Sequence, residues 1–194
     1  MSDPQARPVL RGARIFLRPA ERSDIPAFVA WFSDADVVET LGSRAPMSLQ
    51  SEQEWYDHLQ AEQGKSRWHL VVCLRATGEA IGTAGLESVD HVNGHAELGI
   101  CVGDRARWDQ GYGTEAMEVL LDFAFGELRL ERVYLYVMSF NPRARHVYQK
   151  VGFQLEGTLR RAFLRHGRFH DIELMAILRD EWLAQERQRS WEQV

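Results

Sequence analysis

The chain has 194 residues, 45% of them hydrophobic and 26% charged, which fits one globular domain with a substantial core. Its formal net charge is −5, from 28 acidic and 23 basic residues, which argues against general nucleic-acid binding because that needs a basic surface. No apolar run is long enough to span a bilayer and residues 1–8 lack the apolar segment of a signal peptide, so we expect a cytoplasmic protein without a membrane partner.

The first half of the chain predicts a strand, two helices and a hairpin. The expected elements are a flexible lead-in (1–11), a strand (13–18), a helix capped by Ser23 or Asp24, a polar loop (33–46), a second helix (to about 63) and two hairpin strands (68–74 and 80–89). Ser51 and Glu54 have the spacing of a capping box at the start of the second helix, which would place Trp55, His58 and Leu59 on its apolar side.

The second half predicts a strand–helix–strand unit followed by a hairpin. The expected elements are a strand (95–102), a helix (roughly 112–126), a strand (132–138), a short helix between Asn141 and Gly152, a hairpin (156–164 and 169–178) and a helical tail from Arg179. A helical crossover implies that strands 95–102 and 132–138 are parallel. The fold class is therefore α/β (α+β), a single domain with a mixed, mostly antiparallel sheet of about seven strands, a central parallel pair and about four flanking helices.

Two glycines, Gly111 and Gly113, lie where the chain enters the 112–126 helix. The first N–H groups of a helix are unpaired and carry partial positive charge, so a glycine turn there is suited to binding a phosphate. A tight turn without a ligand explains the same glycines. A dinucleotide-binding fingerprint is disfavoured, since the third glycine is missing and antiparallel strands precede the motif.

The cysteine and histidine spacings indicate neither a disulfide framework nor a metal site. Cys73 and Cys101 lie in apolar runs, which is typical of small core residues in a reducing compartment. The seven histidines are scattered without the spacing of metal ligands, so no metal is expected.

The order of motifs resembles the GCN5-related N-acetyltransferases. An Ala-Glu-Leu-Gly-Ile strand (96–100) is followed by Trp-Asp-Gln-Gly-Tyr-Gly-Thr-Glu-Ala (108–116), Asn-Pro-Arg-Ala-Arg-His-Val-Tyr (141–148) and Lys-Val-Gly-Phe (150–153). The likeness is strongest from 82 to 182. Within the family, the chain most resembles the ribosomal-protein (Rim-type) branch, which is also similar to the bacterial spermidine N-acetyltransferases. Trp108 departs from the general pattern, which has Gln or Arg there, but matches the Rim-type branch. The expected domain is 12–182, followed by a tail at 183–194.

The resemblance implies acetyl-coenzyme A (acetyl-CoA) as donor. Backbone amides at 110–114 would hold its pyrophosphate, and the strand at 100–102 would pair with the pantetheine arm. Asn141 would form a hydrogen bond to the cofactor near its thioester, cap a helix, or do both. The Asp109 side chain is expected to point away from the phosphates. The expected cofactor-binding set is Ile100, Cys101, Val102, Trp108, Gln110, Gly111, Tyr112, Gly113, Thr114 and Asn141.

Two residues are candidates for proton transfer. By the family pattern Tyr148, seven residues after Asn141 and on the same helix face, would protonate the departing sulfur; packing of its ring under the sheet is the alternative. Glu97 is the carboxylate nearest the expected thioester and is the candidate base; a structural ion pair is its alternative. Glu87 and His91 are weaker candidates for the base.

The acceptor is less determined by sequence. A lysine-like amine costs about 4–5 kcal/mol to deprotonate at neutral pH and a protein α-amine about 1 kcal/mol, which favours a protein N-terminus. A polyamine or aminoglycoside acceptor and a non-catalytic acyl-CoA sensor are the alternatives. Asp34, Asp36 and Glu39 either attract a polycation or belong to a solvated loop, and four aromatic residues line an acceptor pocket or a core: Trp31, Phe32, Trp55 and Tyr56. A homodimer is considered.

Overall fold

A single mixed sheet organises the chain in the computed structural model, which describes residues 10–42 and 46–192. Within that part, eight strands lie in the order β1-β2-β3-β4-β5-β6-β8-β7. The strands are β1 (Leu10–Arg11), β2 (Ile15–Pro19), β3 (Trp68–Leu74), β4 (Ala80–Asp90), β5 (His95–Val102), β6 (Arg132–Met138), β7 (Gln154–Arg165) and β8 (Arg168–Leu178). Neighbouring strands are antiparallel except β5 and β6, which are parallel. The expected mixed sheet with a central parallel pair is confirmed.

The helices cover both faces of this sheet. They are α1 (Ile25–Phe32), α2 (Ala35–Val38), α3 (Leu49–Glu62), α4 (Tyr112–Gly126), α5 (Pro142–Val151) and α6 (Arg179–Leu183). On one face α4 buries Met117, Leu120 and Leu121 completely against the strands, and this larger cluster is called the first core. Strand β3 is buried on both sides, because Leu70 and Val72 face the first core while alternate residues face α1 and α3.

A second core lies between α1, α3 and the opposite face of the sheet. Phe28 is fully buried there, with Leu59 and Val71 beside it. Trp31, Phe32, Trp55 and Tyr56 pack in or against this core and do not line the cleft described below, so their core alternative holds. The prediction for His58 is wrong: it is exposed and its Nδ1 lies 2.8 Å from the carbonyl of Glu54.

The parallel pair separates along its length, and this separation creates the main cleft. Strand β5 pairs with β6 only through His95–Glu97 opposite Arg132–Tyr134. Beyond Glu97, β5 stays bonded to β4 up to Val102, while β6 stays bonded to β8 up to Met138. The N–H and C=O groups at the far end of β5 that point toward β6 therefore have no strand partner.

Several predicted boundaries need correction. The polar loop expected at 33–46 contains α2, because the Asp34 side chain caps it by accepting from the amides of Asp36 and Val37. The capping box of α3 is formed by Ser48 and Ser51, not by Ser51 and Glu54, so the helix begins earlier. The sheet has one more strand than expected, because the short β1 pairs with β2.

The two ends of the chain also differ from expectation. The predicted lead-in falls on residues 1–9, outside the described residues, and on Leu10–Arg11, which form β1. The helix expected from Arg179 ends at Leu183. The described tail residues after it fold back on α4, where Arg187 and the amide of Ser190 bond to the fully buried Asp122 at 2.8 and 2.7 Å.

Candidate active site

A cleft of about 1050 Å³ lies between the separated ends of β5 and β6. One wall comprises the end of β5, the 105–111 loop, the start of α4 and the exposed side of α5. The other wall comprises α2 with the residues just after it, the end of β6 and Ile172 of β8. These are called the donor wall and the acceptor wall.

The glycine loop has the geometry of an anion site. Gly111 caps α4 with φ of 81°, a left-handed conformation that favours glycine. Tyr112, Gly113 and Thr114 form the first turn of α4 and line the cleft, so their unpaired N–H groups lie beside it. Because the N-terminus of a helix carries partial positive charge, this turn suits a phosphate.

Two side chains hold this loop against the sheet. The indole Nε1 of Trp108 donates to the carbonyl of Val102 at 2.7 Å, which ties the loop to the end of β5. Arg14 bonds to the Glu115 carboxylate at 2.8 Å and to the carbonyl of Gln110 at 2.8 Å. Glu115, an acidic residue in the first turn of α4, therefore also braces the loop.

The remaining loop residues have less direct positions. The side chain of Gln110 donates to the carbonyl of Ala106 at 2.6 Å and does not line the cleft, so only its backbone can serve a ligand. Asp109 lines the cleft, and its exposed carboxylate pairs with Arg143 at 3.1 Å. Since Arg143 offsets that charge, the carboxylate is a smaller obstacle to phosphates than its position suggests.

Tyr148 lies deep in the donor wall. Burial, and to a smaller extent the nearby Cys101, raises the pKa of its phenol to about 12. Burial also raises the pKa of the Cys101 thiol to about 12. A thiolate or phenolate is therefore strongly disfavoured at this point of the cleft, and Tyr148 carries its proton at neutral pH.

Asn141 caps α5 and lines the cleft at the same time. Its side-chain oxygen accepts from the amide of Ala144 at 3.1 Å, so the capping role is real. The cap uses the side-chain oxygen, and the Nδ2 group has no hydrogen-bond partner among the described residues. The two roles foreseen for Asn141 are thus compatible.

Glu97 is half-buried at the base of the cleft, where β5 and β6 part. Burial raises its carboxyl pKa above the usual value. Within the described ranges it forms no ion pair or hydrogen bond, so its structural alternative is not seen. The weaker base candidates are occupied elsewhere: Glu87 pairs with Arg67, His91 lies 3.0 Å from the carbonyl of Lys65, and neither lines the cleft.

Sequence reasoning missed most of the acceptor wall. Its side chains come from elements far apart in the chain: Val37, Thr40, Leu41, Tyr136, Met138 and Ile172. The apolar pattern of β6 predicted burial on both faces, yet Tyr136 is 43% exposed because β5 has diverged beside it. Strand alternation places Tyr136 on the same face as Glu97, opposite α4, but the divergence has no local sequence signal.

Comparison with known proteins gives the family. A model of the acetyltransferase (GNAT) domain matches residues 14–154. The chain belongs to this family. It is 29% identical over 171 residues to spermidine N(1)-acetyltransferase of Escherichia coli (strain K12), covering 88% of this chain and 89% of that protein. It is 32% identical over 105 residues to the "Putative ribosomal N-acetyltransferase YdaF" of Bacillus subtilis (strain 168), covering 54% of this chain and 57% of that protein.

The solved structures agree. The crystal structure of spermidine N-acetyltransferase from Vibrio cholerae in complex with CoA and spermine superposes with a TM-score of 0.82 at 26% identity. It covers 89% of this chain and 99% of that one. This GNAT protein is an N-acetyltransferase with acetyl-CoA as donor. The helix turn at 112–114 and the unpaired edge of β5 fit that group, because they offer N–H donors to a pyrophosphate and a strand edge to an amide-containing arm.

Two further observations concern what the described residues contain. No helix among them combines the length and apolar character needed to cross a bilayer. No group of three or more His, Cys, Asp or Glu side chains within 10–42 and 46–192 is arranged to hold a metal ion.

Proposed function

We propose that this N-acetyltransferase transfers the acetyl group of acetyl-CoA directly to a small primary amine. The observation that carries the proposal is the presence of Glu97 and Tyr148 in one cleft, the first free of ion pairs among the described residues and the second buried and protonated. The spermidine N(1)-acetyltransferase of Escherichia coli matches 88% of the chain, whereas YdaF matches 54%. We therefore rank small amines as acceptors above protein N-termini, although the lower free energy of deprotonation alone would favour the N-termini.

Residues of the donor wall bind and orient acetyl-CoA. The amides of the first turn of α4 hold the pyrophosphate, with Gly111 setting the turn and Trp108 fixing the loop. The free edge of β5 at 100–102 pairs with the pantetheine arm, with Cys101 beside it, and the Nδ2 group of Asn141 donates near the thioester. Tyr112 is placed by Arg14, whose guanidinium lies 4.6 Å from its ring centre.

Glu97 acts as the base. An alkyl ammonium with a pKa near 10.4 needs about 4–5 kcal/mol to lose its proton at neutral pH. Because burial raises the pKa of the Glu97 carboxyl, its carboxylate is a better proton acceptor than an exposed one. The carboxylate is also the group that attracts the incoming ammonium before deprotonation.

Tyr148 acts as the acid when the carbon–sulfur bond breaks. In water a phenol near pKa 10 is a poor acid toward a thiolate near 8.5, an unfavourable transfer of about 2 kcal/mol. Inside the cleft the Cys101 thiol and the Tyr148 phenol both have a pKa of about 12. The same burial would raise the pKa of a departing CoA thiol, which reduces the cost of the proton transfer from Tyr148.

Acetylation of a protein N-terminal α-amine is the second candidate. It is favoured by the likeness to YdaF and by the low deprotonation cost of an α-amine, about 1 kcal/mol. A non-catalytic acyl-CoA sensor has no use for an unpaired Glu97 beside a protonated Tyr148, and we place it third.

Release of free CoA thiol from acetyl-CoA tests these functions. The panel contains small alkyl amines, arylalkyl amines, spermidine, an aminoglycoside, and peptides with N-terminal Ser, Ala or Thr. Turnover on small amines supports the proposal, and turnover confined to peptides would replace it with the second candidate. If acetyl-CoA raises the melting temperature but no acceptor is turned over, the sensor function replaces both.

A homodimer also remains our proposal. Strand β7 is an edge strand of the sheet, and its hairpin exposes Leu155 by 47%, Leu159 by 50% and Phe169 by 64%. Exposed apolar side chains beside a free strand edge are typical of protein interfaces. Light scattering on the native chain should give twice the monomer mass, and Leu159→Glu should reduce that mass to the monomer.

A further inference from the structure

We infer that the acceptor carries a single positive charge on an otherwise apolar body, and that polyamines are poor substrates of this enzyme. The inference rests on the proposed function and narrows its substrate class. It follows from the charges that line the acceptor wall, because almost every carboxylate near the amine path is already paired with a cation of the chain itself.

The acidic residues at the start of α2 are engaged with the donor side of the cleft. Arg105 bonds to the Asp36 carboxylate at 2.5 Å and lies 3.6 Å from that of Asp34. Asp34 additionally accepts from the amides of Asp36 and Val37, as the cap of α2. These two carboxylates hold α2 to the 105–111 loop, and because Arg105 offsets their charge they attract a second ammonium group less strongly than unpaired carboxylates would.

The acidic residue after α2 is engaged with the tip of the β7–β8 hairpin. The Glu39 carboxylate lies 3.5 Å from Nε of Arg165 and 3.1 Å from Nε2 of His166. Arg165 also donates to the carbonyl of Val38 at 2.5 Å. Ion pairs therefore hold α2 at both ends. Asp34 and Asp36 pair with Arg105, and Glu39 pairs with the hairpin tip.

The other charged residues of the cleft are paired too. Asp109 pairs with Arg143 at 3.1 Å, and Arg107 pairs with Glu79 at 3.0 Å and with Asp104 at 3.3 Å. Among the described residues that line the cleft, Glu97 is the one carboxylate without an ion pair. One free carboxylate matches one ammonium group.

The rest of the acceptor wall is apolar or aromatic. Val37, Leu41, Tyr136, Met138 and Ile172 line it. A second ammonium group placed against these side chains would lose hydration without gaining a counter-ion, which is costly. An alkyl or aromatic body would bury apolar surface there, which is favourable by roughly 25 cal/mol per Å².

This result differs from what the likeness to spermidine acetyltransferases suggests. The chain keeps acids after α1, as a polyamine enzyme could, but pairs each of them with Arg105 or with the hairpin tip. The ion pairs of these acids, and not their presence in the sequence, decide how strongly they attract a polycation.

The first test compares kcat/KM for octylamine and phenethylamine with kcat/KM for spermidine, at pH 8 and equal ionic strength. We expect the monoamines to exceed spermidine by at least tenfold. A spermidine value equal to or above theirs would overturn the inference while leaving the proposed function intact. If all three fail and acetyl-CoA still binds, the proposed function itself is wrong, and the inference falls with it.

Two variants test the cause. Arg105→Ala unpairs Asp34 and Asp36, and Thr40→Asp adds a carboxylate to the acceptor wall without touching Arg105. Each should raise the spermidine-to-octylamine ratio of kcat/KM by about tenfold, and added salt should reverse the gain. Arg22→Ala, which breaks an exposed pair with Asp57 away from the cleft, is the control and should leave the ratio unchanged. If neither Arg105→Ala nor Thr40→Asp shifts the ratio, charge does not select the acceptor and the inference is wrong.

Discussion

The two walls of the cleft are built in different ways. The donor wall comes from two short stretches of sequence, 97–117 and 141–148, and offers mainly backbone groups. The acceptor wall collects side chains from α2, β6 and β8, which are distant in sequence. A backbone site depends on glycines and helix starts, so its signal is local. A side-chain site depends on which elements meet, so it becomes visible only in the folded chain.

The two walls differ in part in the cores behind them. The donor wall is backed by the first core, in which α4 and α5 pack on the sheet. In the acceptor wall, β6 and β8 also contribute to the first core, whereas α2 follows α1, which packs with α3 in the second core. Variants that disturb one core or one wall at a time show whether the two sides can be separated.

The largest stability effect is expected at Asp122, behind the donor wall. Its fully buried carboxylate accepts from the Trp182 indole at 3.0 Å and pairs with Arg187 at 2.8 Å and Arg189 at 3.7 Å. Asp122→Ala leaves the buried Arg189 without a carboxylate and removes one of the two carboxylates paired with Arg187, which costs about 3–5 kcal/mol of unfolding free energy. Thermal unfolding should shift down by about 10 °C.

The matched control for this variant is Asp57→Ala, which removes an exposed ion pair with Arg22. Because exposed pairs contribute little, its melting temperature should stay close to the native value. Equal shifts for the two variants would mean that the tail is not anchored to α4 through Asp122.

The second core should be sensitive to acid through His69. Burial, with a smaller contribution from Arg67, lowers the pKa of His69 to about 4. An unfolded histidine titrates near 6.5, so the unfolded state binds the proton more strongly and stability is lost as pH falls from about 6.5 to 4. The maximum loss is about 3 kcal/mol.

His69→Phe keeps an aromatic ring beside Trp55, whose ring centre lies 4.8 Å away, and removes the titration. Melting temperatures measured between pH 4.5 and 7.5 should fall less for this variant than for the native chain. His58→Gln, at an exposed position, should follow the native curve. If the native chain and His69→Phe lose stability in parallel, His69 does not cause the acid sensitivity.

A smaller effect, confined to the donor wall, is expected at Gly111. Its φ of 81° is strained for any other residue by about 1–2 kcal/mol. Gly111→Ala should weaken acetyl-CoA binding about tenfold in calorimetric titration, because the first turn of α4 must move to relieve this strain.

Gly78→Ala is the control for the strain itself. Gly78 has φ of 75° in the β3–β4 turn, away from the cleft, and open space around its Cβ position. Gly78→Ala should lower the melting temperature by about as much as Gly111→Ala does, and it should leave the affinity for acetyl-CoA unchanged. Loss of affinity in both variants would show that the effect is general destabilisation and not a property of the loop.

Most of the fold was predictable because its signals are local. The Asn93-Gly94 turn, the cap at Asn141 and the glycine at 152 locate the strands and helices of the second half within a few residues. The donor wall was predictable for the same reason. The short α2 was missed because its cap, Asp34, lies in a polar stretch that resembles a loop.

The acceptor wall could not be predicted. Tyr136 is exposed in this wall because β5 separates from β6 beside it. The charge of the wall depends on Arg105 and Arg165, which pair with acidic residues at 34–39. These pairs join positions many residues apart, for which one sequence carries no spacing signal.

The most direct test of catalysis is the turnover of Tyr148→Phe across pH 6–9. Removing a general acid should reduce kcat by about 10²–10⁴-fold. The affinity for acetyl-CoA should be unchanged, and Tyr56→Phe in the second core should turn over like the native enzyme. Because the pKa of Tyr148 is about 12, the native profile should show no alkaline decline from this group in that range. A Tyr148→Phe enzyme with native kcat throughout would contradict the account.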